Sequence, residues 1–189
     1  MRAAGLLLAG ALVLAGCDSG TAPVPAETPE SKAVEATPLA ANAVELRGEG
    51  LVAGAEAFYF AAGQTEVEAA LAKALGPKLR SGENPECGAG PITFTDYAGG
   101  LTAHFQQGRL VGWNWHAPQD GDDAGTGTIT LAGNVRIGSA RAVAEAAPGF
   151  APVEDSTLGE EFMLGKAIGG FVEGDAVEML YAGTQCFFR

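Results

Sequence analysis

The chain has 189 residues, 47% of them hydrophobic, and its 23 acidic against 11 basic side chains give a formal charge of −12. That is enough apolar material for one domain or two small ones. The acidity argues against a nucleic-acid role, which needs a Lys/Arg surface facing phosphate, and against electrostatic adhesion to anionic lipid.

Met1 and Arg2 make a short basic start, and Leu6 to Leu14 form an apolar run too short to span a bilayer stably. Leu14-Ala15-Gly16-Cys17 follows directly. Run and tetrapeptide together resemble the signal peptide and lipobox of bacterial lipoproteins. The resemblance implies that residues 1–16 are cleaved as a signal peptide and that the Cys17 thiol carries a diacylglyceryl group. Two or three acyl chains anchor a protein stably where one is marginal. It therefore implies a protein of the bacterial cell envelope, held to a membrane through Cys17 and facing the periplasm. Asp18 resembles an inner-membrane retention signal of some bacteria; that rule does not transfer between groups, so inner and outer membrane both stay open. Beyond the cysteine, residues 17–42 shift to Ser, Thr, Ala, Glu and Pro, with prolines at 23, 25, 29 and 38. Such a stretch cannot bury enough surface to fold and reads as a disordered tether, spanning roughly 25–30 Å on average.

Residues 43–116 read as a first folded unit. Ala43 to Leu51 and Ala57 to Ala61 suggest strands. Thr65 and Glu68 form a capping box, and Val67, Ala70, Leu71, Ala74 and Leu75 follow at helical spacing until Gly76-Pro77. A loop from Lys78 to Pro91, containing Cys87, leads to a strand at Ile92 to Tyr97. Next comes a hairpin, Leu101–Phe105 against Arg109–Trp115, around Gln106-Gln107-Gly108. A three-residue loop sets Leu101 opposite Trp113 and Ala103 opposite Val111. One face then carries Leu101, Ala103, Phe105, Val111, Trp113 and Trp115. The other carries Thr102, His104, Asn114 and His116 and is expected to face water.

Residues 117–127 are a Gly/Asp-rich connection. Its Asp120-to-Gly125 stretch superficially resembles a calcium loop, but Ala124 and Leu131 stand where ligands are needed, and a solvated turn is the plainer reading. Residues 128–189 read as a second unit: a strand from Thr128 to Ile137, a short helix with Val143, Ala146 and Ala147 inward, a strand from Glu160 to Lys166, and a hairpin from Ala167 to Tyr181. Gly63 aligns on Gly138, and Phe105, Gly108 and Val111 align on Phe171, Gly174 and Val177. The expected fold class is therefore α+β, two tandem helix-plus-antiparallel-sheet units in one compact domain. This order resembles the β-lactamase-inhibitor-protein-like folds and the small lipoproteins of the SmpA/OmlA type. That resemblance implies protein–protein recognition through a sheet face or loops.

With Cys17 lipidated, Cys87 and Cys186 remain as an even pair in an oxidising compartment, and a disulfide is expected between them. Closing so long a loop contributes on the order of 4–5 kcal/mol in chain-entropy terms. His104 and His116 are placed roughly 20 Å apart by that register, too far for one ion, so no metal is expected. Trp113, Trp115 and Tyr181 are the candidate binding surface, with packing against the helices as the plainer reading. No nucleophile, phosphate-loop or zinc motif appears, and Glu160 and Glu161 point to opposite faces of a strand. The expectation is a non-catalytic lipoprotein without cofactor that binds an envelope protein, as an assembly accessory or inhibitor. The alternative is small-molecule binding in a cleft between the two units.

Overall fold

A computed structural model describes residues 39–119, 125–131 and 133–187. The signal peptide, Cys17, the tether up to Pro38 and the 120–124 part of the acidic connection lie outside the described residues.

In chain order the elements are β1 (Ala43–Arg47), β2 (Gly50–Ala53), β3 (Glu56–Tyr59), α1 (Gln64–Leu75), β4 (Arg80–Asn84), β5 (Ile92–Tyr97), β6 (Leu101–Gln106) and β7 (Arg109–His116). They continue with β8 (Thr128–Leu131), α2 (Arg141–Glu145), β9 (Phe150–Pro152), β10 (Glu160–Leu164), β11 (Ile168–Glu173) and β12 (Ala176–Gly183). The strands form a four-stranded sheet, β3-β2-β1-β8, and an eight-stranded sheet, β4-β5-β6-β7-β12-β11-β10-β9.

This overturns the expected tandem α+β architecture. The fold is mostly β, with helices of only 12 and 5 residues among the described residues. Strands from beyond the acidic connection are woven into both sheets: β8 pairs in parallel with β1, and β12 pairs with β7. An unpaired strand edge exposes a row of backbone donors and acceptors, and the β7–β12 pairing removes two such edges at once.

Helix α1 buries Val67, Ala70, Leu71, Ala74 and Leu75, the apolar stripe read from the sequence. Its start differs from the capping-box expectation: Gly63, not Thr65, is the N-cap, and no side chain caps the helix. The preceding chain is tied to the hairpin turn by Gln64 N–H to Gly108 O (2.9 Å) and Leu110 N–H to Ala62 O (2.8 Å), which sets where the helix begins. In α2 it is Ala144 that is buried, whereas Val143 is exposed. The expected first strand breaks at Gly48-Glu49, and the expected loop before Ile92 contains β4.

Helix α1 packs on β1, β2, β5 and β7, β2 packs on β7, and α2 packs on β9 and β12. Val44, Leu46, Leu51, Leu71, Leu101, Trp113, Phe162 and Leu180 belong to one continuous core. The four-stranded sheet and both helices thus cover one face of the eight-stranded sheet.

The β6–β7 hairpin departs from the expected register. Gln107 (φ 50°) and Gly108 (φ 72°) form a two-residue turn with positive φ at both positions, so Gln106 pairs with Arg109 and Phe105 with Leu110. Two-residue turns of this kind match strand twist, but they usually announce themselves with Asn-Gly or Asp-Gly. Val111 is then the extra residue of a bulge, after which His104 pairs with Gly112, Ala103 with Trp113 and Leu101 with Trp115. Leu110, not Val111, joins the buried face beside Phe105. The bulge restores the phase, so both tryptophans still point into the core.

Candidate functional site

The opposite face of the eight-stranded sheet carries the chemistry. Alternation on β5, β6 and β7 sends Phe94, Asp96, Thr102, His104, Asn114 and His116 to this side, and β10 to β12 add Glu161, Phe171, Met179 and Tyr181. No helix or second sheet packs on it among the described residues. Among the described residues, the segment Thr184–Phe187 after β12 lies over part of it, and the loop carrying Ser156 covers Glu161.

This face was expected to be wet, and in part it is not. His104 and Thr102 are buried. Nδ1 of His104 donates to the Thr184 carbonyl oxygen (3.0 Å), and Nε2 accepts from Asn114 Nδ2 (3.3 Å). A carbonyl can only accept, so this arrangement fixes the neutral Nδ1–H tautomer. Burial pushes the imidazole below its ordinary pKa, while the Thr184 bond and the Asp96 carboxylate pull the other way. Next to it, Asp96 accepts from the Thr102 hydroxyl (2.7 Å) and pairs with Arg80 (2.6 Å), whose guanidinium lies 6.0 Å above the Phe94 ring. A groove of about 490 Å³ runs over Arg80, Phe94, Asp96, Asn114, His116 and Met179. Asn114 Oδ1 is buried beside it with no hydrogen-bond partner among the described residues.

The β10–β12 side holds a second polar group. Glu161 is buried and accepts from the Ser156 hydroxyl (2.6 Å) and from the Tyr181 hydroxyl. The Tyr181 ring lies over Gly169, where a Cβ would clash with it. Phe171 and Phe187 pack on the same ring, at 5.6 and 5.0 Å between centroids. A second groove of about 420 Å³ is bordered by Leu158, Phe171, Glu173, Glu178, Met179 and Phe187. Burial, then the neighbouring Glu173 carboxylate, pushes the Glu178 carboxyl up.

No family model, curated protein or solved structure matches this chain.

The predicted site residues are distributed as follows. Trp113 and Trp115 are buried in the core, their indole N–H groups donating to Arg47 O and Gly50 O and to Gly99 O respectively. Tyr181 is half-buried on the opposite face, paired with Asn114. The three aromatics therefore do not form one surface, because Trp113 lies opposite Ala182 and its neighbour Tyr181 alternates to the other side. Cys87 and Cys186 are joined by a disulfide, S–S 2.10 Å and Cα–Cα 4.9 Å, 99 residues apart. His104 pairs with Gly112, four residues before His116 on β7 where the expected register implied six; His116 pairs with Met179, and neither joins a cluster of three metal-ligating side chains among the described residues. Cys17 lies outside the described residues.

Sequence reasoning did not single out Asp96 or Met179, took Asn114 only as part of a wet face and weighed Glu161 only as the strand neighbour of Glu160. Their shared signal is weak: each is the outward position of a strand, and only the strand order puts the four on one face.

Proposed function

We propose that this protein is a lipid-anchored bacterial envelope lipoprotein, facing the periplasm, that binds another protein through the outer face of its eight-stranded sheet, the one that no helix or second sheet covers among the described residues. The observation that carries the reading is that face itself. Half-exposed Phe94, Phe171 and Met179 stand on it among polar groups with fixed partners, in shallow grooves rather than an enclosed chamber. Apolar and aromatic side chains in a polar rim are what protein interfaces use. Glu173 and Glu178 at the rim, in a chain of net charge −12, suit a partner that offers a basic segment.

Anchoring is supported by Leu14-Ala15-Gly16-Cys17 directly after the apolar run. Leu39 and Ala41, where the described chain begins, sit beside Gly54, Ala70 and Lys73 on the layer of the four-stranded sheet and α1.

Two measurements test the proposal. Mass spectrometry of the processed protein is expected to find acyl chains on Cys17; an unmodified cysteine removes the anchor. A photo-crosslinking residue at Met179 is expected to capture one defined envelope protein, with Glu178→Lys abolishing capture and a probe at Tyr59, on the far sheet, giving none. Equal capture from both positions would sink the recognition face.

A further inference from the structure

The segment Thr184–Phe187 lies across the face just described, and it is held there by very little besides a covalent bond. Thr184 N–H donates to Val111 O (2.8 Å), and Gln185 Nε2 donates to Trp113 O and Ala182 O (3.0 Å each). Thr184 O accepts from His104, and Phe187 rests edge-on against Phe171 (5.4 Å) and Tyr181. Cys186, within this segment, is bonded to Cys87 in the β4–β5 loop. That loop is itself tied to β6 through Gln106, whose amide donates to Ala89 O (2.8 Å).

The side chains beneath the segment, His104, Phe171 and Tyr181, all belong to the outer face. No residue of the segment belongs to the core cluster on the other side of the sheet, whose covering layer is α1, α2 and the four-stranded sheet. Lifting the segment therefore exposes the recognition face without opening the core. All four of its residues are half-buried, whereas Cys87 is almost fully buried, so Cys186 is the more exposed partner of the bond.

We infer that Thr184–Phe187 is a redox-held strap over the recognition face, locked by the Cys87–Cys186 bond and released by a dithiol reductant. This inference rests on the protein-binding reading above. In the exchange a thiolate of the dithiol attacks Cys186 Sγ and the Cys87–Cys186 bond breaks, with Cys87 leaving as a thiolate that takes up a proton. The second thiol of the reductant then displaces Cys186, which also ends as a thiol. The dithiol is oxidised to its disulfide, and its two protons end on the two cysteines. With the tether to Cys87 gone, the strap keeps four hydrogen bonds and the two ring contacts of Phe187 against the entropy of four ordered residues, and it leaves. His104 then gains water, and the Phe171–Tyr181 pair becomes available to a partner.

The test uses the full chain with and without dithiothreitol, followed by amide hydrogen exchange and by the titration of His104. Reduction is expected to speed exchange at Thr184 by about tenfold or more while β5, β6 and β7 stay protected. The His104 imidazole is expected to titrate closer to its ordinary value, because burial is the largest influence holding it down. Cys186→Ser should show the same released strap without reductant. Unchanged exchange at Thr184 after reduction overturns the inference, and so does loss of protection throughout the sheet in either the reduced protein or the variant, because the bond would then be a staple of the whole fold. These readouts need no partner. A failure here leaves the binding proposal standing, and absent crosslinks at Met179 leave strap release standing.

Discussion

The indole N–H of Trp113 donates to the carbonyl oxygen of Gly50 at 3.0 Å, and also to that of Arg47 at 2.9 Å. One side chain from the middle of the eight-stranded sheet thereby closes the β1–β2 turn of the other sheet. It explains why an aromatic read as a candidate binding residue is instead fully buried: its ring fills the space between the sheets, and its single donor satisfies turn carbonyls that burial would otherwise leave unpaired.

Trp113→Phe keeps an aromatic ring but removes that donor and part of the volume. It is expected to destabilise the fold by about 2–4 kcal/mol, read as a lower urea midpoint with unchanged slope. A change below the error of the measurement would show that the turn carbonyls find other donors.

His104 makes stability depend on pH. Its folded pKa lies below the ordinary value near 6.5, so between the two values the unfolded chain binds the extra proton and the folded chain does not. Stability is therefore fully present above pH 6.5 and declines as pH falls below it, with a limiting slope of about 1.4 kcal/mol per pH unit from this one group. Denaturant titrations from pH 7.5 down to about 5 check the slope, and His104→Gln is expected to flatten that part of the profile. An identical profile in the variant would assign the dependence to other groups.

Glu161 is a buried carboxylate whose two oxygens accept from Ser156 and Tyr181. Glu161→Ala leaves both hydroxyls without their acceptor and opens a void under the 153–159 loop, costing about 2–4 kcal/mol. Glu161→Gln keeps the volume and one acceptor and is expected to cost less than half as much. Thermal melts of the two variants side by side decide it, and equal losses would point to the charge itself as the essential feature.

Gly100 takes φ +81°, and a Cβ there would lie 1.9 Å from the His116 carbonyl oxygen. Gly100→Ala combines an unfavourable backbone conformation with a backbone clash, and about 3 kcal/mol or more of destabilisation is expected. Gly108 also has positive φ (72°) but nothing within 4 Å of its Cβ position, so Gly108→Ala should cost about 1 kcal/mol from conformation alone. The ordering of the two unfolding midpoints tests whether contact or conformation sets the loss.

Much of the local structure was legible in the residues themselves. The stripe Val67-Ala70-Leu71-Ala74-Leu75 gave α1 and its inward face, and the alternation in Leu101–Phe105 and Arg109–Trp115 gave a hairpin with tryptophans on the apolar side. Cysteine count and the lipobox-like start singled out Cys87 and Cys186. Such features lie in consecutive residues, where helical or strand geometry alone determines which side chains share a face.

What only the tertiary structure decided involves partners far apart in the chain. The pairing of β7 with β12 merged the expected units into one sheet, the Val111 bulge shifted the hairpin register, and the segment after β12 buried His104 on a face expected to be wet. None of these has a local signature, because closing a long loop depends on everything the two ends bury together. Consecutive residues therefore determined α1, the first hairpin and their apolar faces, and long-range pairing determined the sheets and which of their faces stayed open.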